Sequence, residues 1–195
     1  LGAFCGGMIG SKIPFALFDP RGVLCTQSWI GDGKTILFGL VGGYVGVELA
    51  KAITEVRSKT GDAFAVPVAV SIGIGRIGCF IGGCCYGQPT TLPWGIDFGD
   101  GVPRHPTQWY EVAFHLTAAL VLWMFERRGW FPRQRFKLYL FAYCGYRFLS
   151  EWLRPEPRIA WGLTAYQLGS LALVPIIAIL WWHDRPATPS PSSSP

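Results

Sequence analysis

Charge is what this sequence has least of. Asp, Glu, Lys and Arg together make up 15% of its 195 residues, against about 25% in a soluble domain. So little charge does not cover the surface of an ordinary soluble globule. Hydrophobic residues make up 50% and mean hydropathy is +0.31, which argues equally against disorder over most of the chain. No Cys-x-x-Cys pair occurs among the 6 cysteines, and this length and apolarity do not suit a secreted disulfide scaffold. No signal peptide with a basic n-region is visible in these residues. There is no repeat at a fixed period, so no duplicated-half transporter is suggested. No apolar run carries a polar stripe long enough to line a pore. The net charge of +5 lies in short clusters between apolar runs, without the basic aromatic face that nucleic acid requires.

What is present fits a multi-pass membrane protein. The 25 glycines allow close helix crossings in lipid, and the 9 tryptophans favour the membrane interface. A span needs roughly 20 mostly apolar residues. Six candidates follow, at about Leu1–Phe18, Thr35–Ile53, Ala63–Gly82, Thr107–Phe125, Phe136–Leu153 and Leu163–Trp182. The chain begins at Leu1 inside an apolar run, so a further N-terminal span is expected ahead of it. Trp29, Trp109, Trp130, Trp161, Trp181 and Trp182 lie near the proposed ends. The prediction is an all-α polytopic bundle, a single domain over residues 1–185, followed by a disordered Pro/Ser tail at 186–195. Lys51, Arg57, Lys59, Arg127, Arg128, Arg133, Arg135, Lys137 and Arg185 fall on one side of the predicted topology. The positive-inside rule makes that side cytoplasmic, together with the C-terminus. The segment from about Gly83 to Pro106 then faces outward as a small cap.

A charged side chain at mid-bilayer costs about 2.5–3.5 kcal/mol on the insertion scale, so intramembrane charges face the bundle interior and generally serve function. The strongest group is Tyr143-x3-Arg147-x3-Glu151-x2-Arg154. On a helix these four side chains share a face. One carboxylate between two guanidiniums leaves an excess positive charge that seeks an anion, and in a membrane a lipid phosphate suits the planar arginine fork. A structural ion-pair ladder is the plainer reading. Arg76 stands in the Gly-rich run Gly73–Gly87 with no acid within four residues, so its partner is another helix or a ligand phosphate. Snorkelling at an interface is the plainer alternative.

Cys79, Cys84 and Cys85 read first as small packing residues. Their Cys-x4-Cys-Cys spacing matches no standard metal-ligand pattern, so no metal is assigned. One of them acting as a thiol activated by Arg76 is a third reading. In Arg104-His105-Pro106-Thr107-Gln108-Trp109-Tyr110-Glu111, Pro106 sets a helix entry, and His105 is a possible acid–base group or a loop histidine bonding backbone. Gly42-Gly43-Tyr44-Val45-Gly46 echoes Gly6-Gly7-Met8-Ile9-Gly10, as close-packing helix faces do.

Together these motifs resemble the prolipoprotein diacylglyceryl transferase family of bacterial inner membranes. The family's G-R-x-G-N-F-x-N-G-E-x-x-G register is read here as Gly75-Arg76-Ile77-Gly78-Cys79-Phe80-Ile81-Gly82-Gly83-Cys84-Cys85-Tyr86-Gly87. Pro89-Thr90 to Leu92-Pro93-Trp94-Gly95 matches the following P-T-x-x-P-W-G. R-H-P-x-Q-x-Y-E is complete from Arg104 to Glu111. Tyr143, Arg147, Glu151 and Arg154 match the Y-x3-R-x3-E-x2-R face, and Gln167 also corresponds. The departures are Val41 for the His of H-G-G-x-x-G, Cys79 and Gly82 for two Asn, and Cys84 for a Glu. The arginine half of the motif set is intact, and the acid–base half is depleted.

The resemblance implies transfer of the diacylglyceryl group of phosphatidylglycerol to a cysteine thiol of a lipoprotein precursor, with no metal or organic cofactor. Arg76, Arg147, Glu151 and Tyr143 are the expected catalytic residues. Arg76, Arg147, Arg154, Gly87, Gly42, Gly43, Arg104 and His105 are the expected substrate-binding residues. Arg76 and Arg147 would hold the phosphate, Glu151 would orient Arg147 and Arg154, and Tyr143 would donate to a phosphate oxygen. Two alternatives stay open: a divergent paralogue that binds phospholipid but uses another acceptor or none, and a thiol-redox or metal-handling membrane protein built on the three cysteines.

Overall fold

The computed structural model describes residues 1–18, 35–56 and 60–183. The 186–195 tail, Trp29, Arg57, Lys59 and Arg185 lie outside the described residues. Among the described residues six helices carry the fold: α1 (Gly2–Phe18), α2 (Ile36–Ile53), α3 (Gly61–Ile81), α4 (Thr107–Arg127), α5 (Arg135–Ser150) and α6 (Ala165–His183). Each coincides with one of the apolar runs. Three of them, α2, α3 and α6, are long and apolar enough by length and composition to cross a membrane. The predicted count of six spans is therefore only partly visible. Among the described residues four short strands form two antiparallel hairpins outside the helices: β1 (Ile96–Asp97) with β2 (Pro103–Arg104), and β3 (Arg158–Ala160) with β4 (Leu163–Thr164).

The helices pack as successive pairs, α1 on α2, α3 on α4 and α5 on α6, with α5 also touching α2, α3 and α4. Glycine makes the first pair possible. A Cβ built on Gly10 would lie 2.5 Å from the Phe38 carbonyl oxygen, and one on Gly42 would lie 2.8 Å from the Gly10 Cα. The two backbones are thus closer than any side chain permits, which in lipid secures dispersion contacts where no hydrophobic effect drives helices together.

The bundle mixes apolar and polar residues inside and is apolar outside. Tyr139, Leu140, Tyr143 and Cys144 of α5 pack with Ala65 and Ala69 of α3 and with Leu173 and Ile177 of α6. Among them Gln108, Glu111, His115, Gln167 and Ser170 are also buried, while Leu49, Phe64, Ile74, Leu120 and Ile179 are exposed. A soluble protein could not afford that outer face, whereas lipid is its natural solvent.

The helix carrying Arg147 ends earlier than predicted. α5 stops at Ser150, Glu151–Leu153 form a single 3-10 turn, and Arg154 is extended at φ −103°, ψ 148°. The four motif residues therefore do not lie along one continuous helix. This change of path lets Arg154 reach a different acid from the one beside it in sequence.

The two ends of α3 are chemically distinct. At its start, Asp62 accepts the backbone N–H groups of Arg133 (2.6 Å) and Arg135 (2.9 Å), which ties the basic α4–α5 connection to that end. Arg76 and the cysteines stand at the other end. The 21 residues of α3 span about 30 Å at 1.5 Å per residue, the thickness of a hydrocarbon core.

Candidate active site

The acid that Arg76 lacks in its own helix comes from α4. Glu111 is 1% exposed. Its Oε2 lies 2.8 Å from Arg76 Nε, and its Oε1 accepts from Arg76 Nη2 at 2.8 Å. Arg154 Nη2 donates to the same Oε2 at 2.8 Å, and the Tyr143 hydroxyl donates to Oε1 at 3.0 Å. One carboxylate thus joins α3, α4, α5 and the segment after α5. A second pair stands beside it. Arg147 Nη2 lies 3.0 Å from Glu151 Oε2, Glu151 Oε1 accepts from the Thr164 hydroxyl at 3.1 Å, and the Arg147 guanidinium sits 4.7 Å over the Tyr166 ring. Thr164 is itself fixed by a reciprocal cap at the start of α6, where its hydroxyl accepts from Gln167 N and its N–H donates to Gln167 Oε1, a Thr-x-x-Gln capping box.

Among the fully buried groups here, three arginines face two glutamates. These groups border a cavity of about 370 Å³ lined by Thr35, Arg76, Cys85, Tyr86, Tyr143, Arg147, Arg154, Glu156 and Tyr166, among others. Glu156 is half-buried there. Among the described residues, Arg147 Nη1 and Arg154 Nε are buried donors with no hydrogen-bond partner. Buried donors are rarely left unpaired, and each such group costs about 1–3 kcal/mol, more when charged. Two of them beside one cavity fit an anion with several oxygens.

The structure redistributes several expected roles. Arg76, Arg147, Arg154 and Tyr143 all line the cavity, and Glu151 lies behind Arg147. The Arg154 side chain goes to Glu111 rather than to Glu151, so Glu151 orients Arg147 alone. The Tyr143 hydroxyl is committed to Glu111 and is not a free donor for a phosphate. Gly42 and Gly43 do not line this cavity. Gly42 sits at the α1–α2 crossing, and Gly43 lines a separate, largely apolar cavity of about 220 Å³.

Arg104 and His105 stand in the cap, outside the cavity lining. Arg104 Nε donates to Asp100 at 3.0 Å, and its guanidinium lies over the Tyr86 ring. This hydrogen bond holds the exposed Asp100 carboxyl below its ordinary range. His105 Nδ1 lies 3.3 Å from the Tyr110 hydroxyl, and its backbone clamps Gly87 and Gln88 through bonds of 2.8 and 3.0 Å. Gly87 is sterically required, because a Cβ there would stand 2.6 Å from the Leu153 carbonyl oxygen. That clamp carries Cys85 and Tyr86 over the cavity.

Cys79, Cys84 and Cys85 converge, although their sequence spacing gave no such indication. Their three sulfurs lie within 4.8 Å of one another, and none is in a disulfide. Arg76 Nη1 is 3.9 Å from Cys79 Sγ. Partial desolvation and its neighbour Cys85 push the Cys84 thiol up to about 11.

Glu111 closes the Arg104–Glu111 motif, and the sequence alone assigns it no role. The available signal was a charge count, since Arg76 needed an acid and the apolar runs contain few. His115 was missed entirely. It is fully buried four residues after Glu111, with Nδ1 2.9 Å from the Tyr139 hydroxyl.

The family model described as prolipoprotein diacylglyceryl transferase matches residues 2–183. A phosphatidylglycerol–prolipoprotein diacylglyceryl transferase of Clostridium tetani is 33% identical over 163 residues, covering 78% of this chain and 66% of that protein. The corresponding proteins of Cupriavidus metallidurans and of Coxiella burnetii (strain Dugway 5J108-111) are 33% and 36% identical, covering 92% and 95% of this chain and 73% and 75% of their own lengths. With its arginine-lined cavity inside a helical membrane bundle, the chain belongs to the prolipoprotein diacylglyceryl transferase family.

Proposed function

We propose that this chain transfers the diacylglyceryl group of phosphatidylglycerol to a cysteine thiol of a lipoprotein precursor. The reaction breaks the bond between the glyceryl carbon and the phosphate oxygen and forms a carbon–sulfur bond. Glycerol phosphate leaves with the electron pair. The observation that carries this reading is the pair of unpartnered buried donors, Arg147 Nη1 and Arg154 Nε, beside a cavity lined by three arginines. A phosphate entering there supplies the missing acceptors. As the bond to carbon breaks, charge grows on the phosphate, and donors already fixed in a dry site stabilise it without reorganising. Arg147 and Arg154 hold the phosphate, and Arg76 adds its field from beside Glu111. Glu111, Glu151 and Tyr143 position the arginines.

The chain works in the bacterial inner membrane, with its basic loops and C-terminus in the cytoplasm and the cap over the cavity facing outward. Residues 1–185 act as one domain. The cap with Arg104, His105 and Gly87 holds the rim where the peptide substrate arrives. The test is incorporation of labelled lipid glyceryl into a cysteine-containing lipoprotein-precursor peptide in membranes carrying this chain. Arg147→Ala is expected to lower that rate about 100- to 1000-fold, the usual effect of losing one preorganised donor. An unchanged rate in the folded variant contradicts the role given to Arg147. No label above background in the folded parent rejects the transferase reading.

A further inference from the structure

The three cysteines are held together by more than their own turn. α3 ends at Ile81, and Gly83 at φ +62° and Cys85 at φ +63° fold the chain back on itself. A left-handed conformation at a non-glycine residue costs roughly 1–2 kcal/mol, so something outside the turn maintains it. That support comes from α4. The Cys84 carbonyl accepts from Gln108 Nε2 at 2.6 Å and the Cys85 carbonyl from the Thr107 hydroxyl at 2.7 Å. Both side chains are buried. The backbone of the turn is therefore pinned by a neighbouring helix, with the three sulfurs gathered beside one another.

We propose that Cys79, Cys84 and Cys85 form a three-thiolate site for a zinc-class divalent ion, whose open fourth position receives the acceptor thiol. Three ligands bonded to zinc at about 2.3 Å stand roughly 3.8–4.0 Å apart, so sulfurs already within 4.8 Å of one another need only a small closure. All three residues are free thiols, and Cys84 and Cys85 are exposed, which leaves an entry path and a vacant coordination direction. Three protein ligands with an open fourth position is the pattern of a reactive zinc site, in contrast to the closed four-ligand structural kind.

The location connects this site to the chemistry. Cys85 lines the arginine cavity, and Cys79 Sγ lies 3.9 Å from Arg76. The inference rests on the transferase reading above. That reaction needs the acceptor as a thiolate; Glu111 and Glu151 are committed to arginines, and Glu156 lines the cavity half-buried. A coordinating thiol is deprotonated by the charge of the metal. The acceptor thiol would lose its proton to water on binding zinc. Its sulfur would then attack the glyceryl carbon while the bond to phosphate breaks, and glycerol phosphate would leave toward Arg147 and Arg154.

The test uses the full chain, purified in detergent under reductant and titrated with Zn2+ or Co2+ alone. About one ion per chain is expected, with the sulfur-to-cobalt charge-transfer absorption of a thiolate site. Cys79→Ser, Cys84→Ser and Cys85→Ser should each weaken retention at least about tenfold, as losing one of three ligands requires. Cys5→Ser and Cys144→Ser, which lie elsewhere, should leave it unchanged. Failure to retain either ion, or equal loss in Cys144→Ser, overturns the site. So does a reversible disulfide among the three in a chain that takes no metal when reduced. Chelation should abolish lipid transfer to thiol, zinc should restore it, and phosphatidylglycerol binding should persist throughout. Transfer at the full rate without metal overturns the role in thiol activation while leaving the transferase reading intact. One ion bound through the three cysteines, with lipid bound and no transfer to any thiol, sinks the transferase reading and keeps the metal site.

Discussion

Replacing Glu111 with glutamine tests the central electrostatic claim. The carboxylate receives Arg76 through two contacts of 2.8 Å, Arg154 at 2.8 Å and Tyr143 at 3.0 Å, and it is 1% exposed. Glutamine has nearly the same shape. It keeps one acceptor oxygen, places an NH2 donor against a guanidinium and removes the negative charge. Three buried arginines would then face one buried glutamate. Removing one partner of a buried ion pair costs about 3–5 kcal/mol, because a charge is left uncompensated. In a chain of this size each kcal/mol moves the melting temperature by about 2–4 °C, so a fall of roughly 6–20 °C is expected. The assay is thermal unfolding of the detergent-purified chain, followed by tryptophan fluorescence. Glu111→Asp keeps the charge at shorter reach and should melt between parent and Glu111→Gln, which keeps the test usable where the glutamine variant does not fold. An unchanged melting temperature in Glu111→Gln refutes the reasoning. It would mean that Arg76 and Arg154 are paired elsewhere or solvated.

Other expectations follow from individual contacts. Tyr143→Phe removes one hydrogen bond to a charged acceptor and should destabilise by about 1.5–3 kcal/mol; equal stability in a detergent melt would show that the hydroxyl is not engaged with Glu111. Gly42→Ala places a Cβ 2.8 Å from the Gly10 Cα and should cost about 1–3 kcal/mol by forcing α1 off α2. The same substitution at Gly145, which has nothing within 4 Å of an added Cβ, is the control, and equal effects would undo the close-crossing account. In the cap, Asp100 has a lowered folded-state pKa through its bond from Arg104. Its contact is therefore present above the unfolded carboxyl value and is lost as pH falls through the lower folded value. The NMR titration midpoint of the Asp100 carboxyl should lie below that of the unfolded chain, and a midpoint at or above it would contradict the pairing.

The helices were legible because lipid imposes a simple rule. Every spanning backbone group must be satisfied within its own segment, so apolar runs of sufficient length become helices. The matches at α2 and α4 come within a residue or two at most ends. The α5 end was less legible, since Glu151–Leu153 leave the α-helical path where Arg154 turns toward Glu111, a residue 43 positions away. The arginine half of the site was visible because buried guanidiniums are expensive and few. The acid that serves two of them was less visible, because an isolated Glu111 in an apolar run does not reveal which cation it meets.

Composition and local order by themselves determined that this is a helical membrane bundle with a surplus of intramembrane cations, since those properties depend on transfer energies summed along short segments. Tertiary structure alone decided which acid meets which arginine, that two guanidinium donors remain unpartnered at a cavity, and that three thiols with an unpromising spacing come together. Ion pairing and coordination depend on distances between atoms of different helices. A linear order constrains those distances only weakly until packing, the α1–α2 glycine crossing and the Thr107–Gln108 clamp have set the backbones in place.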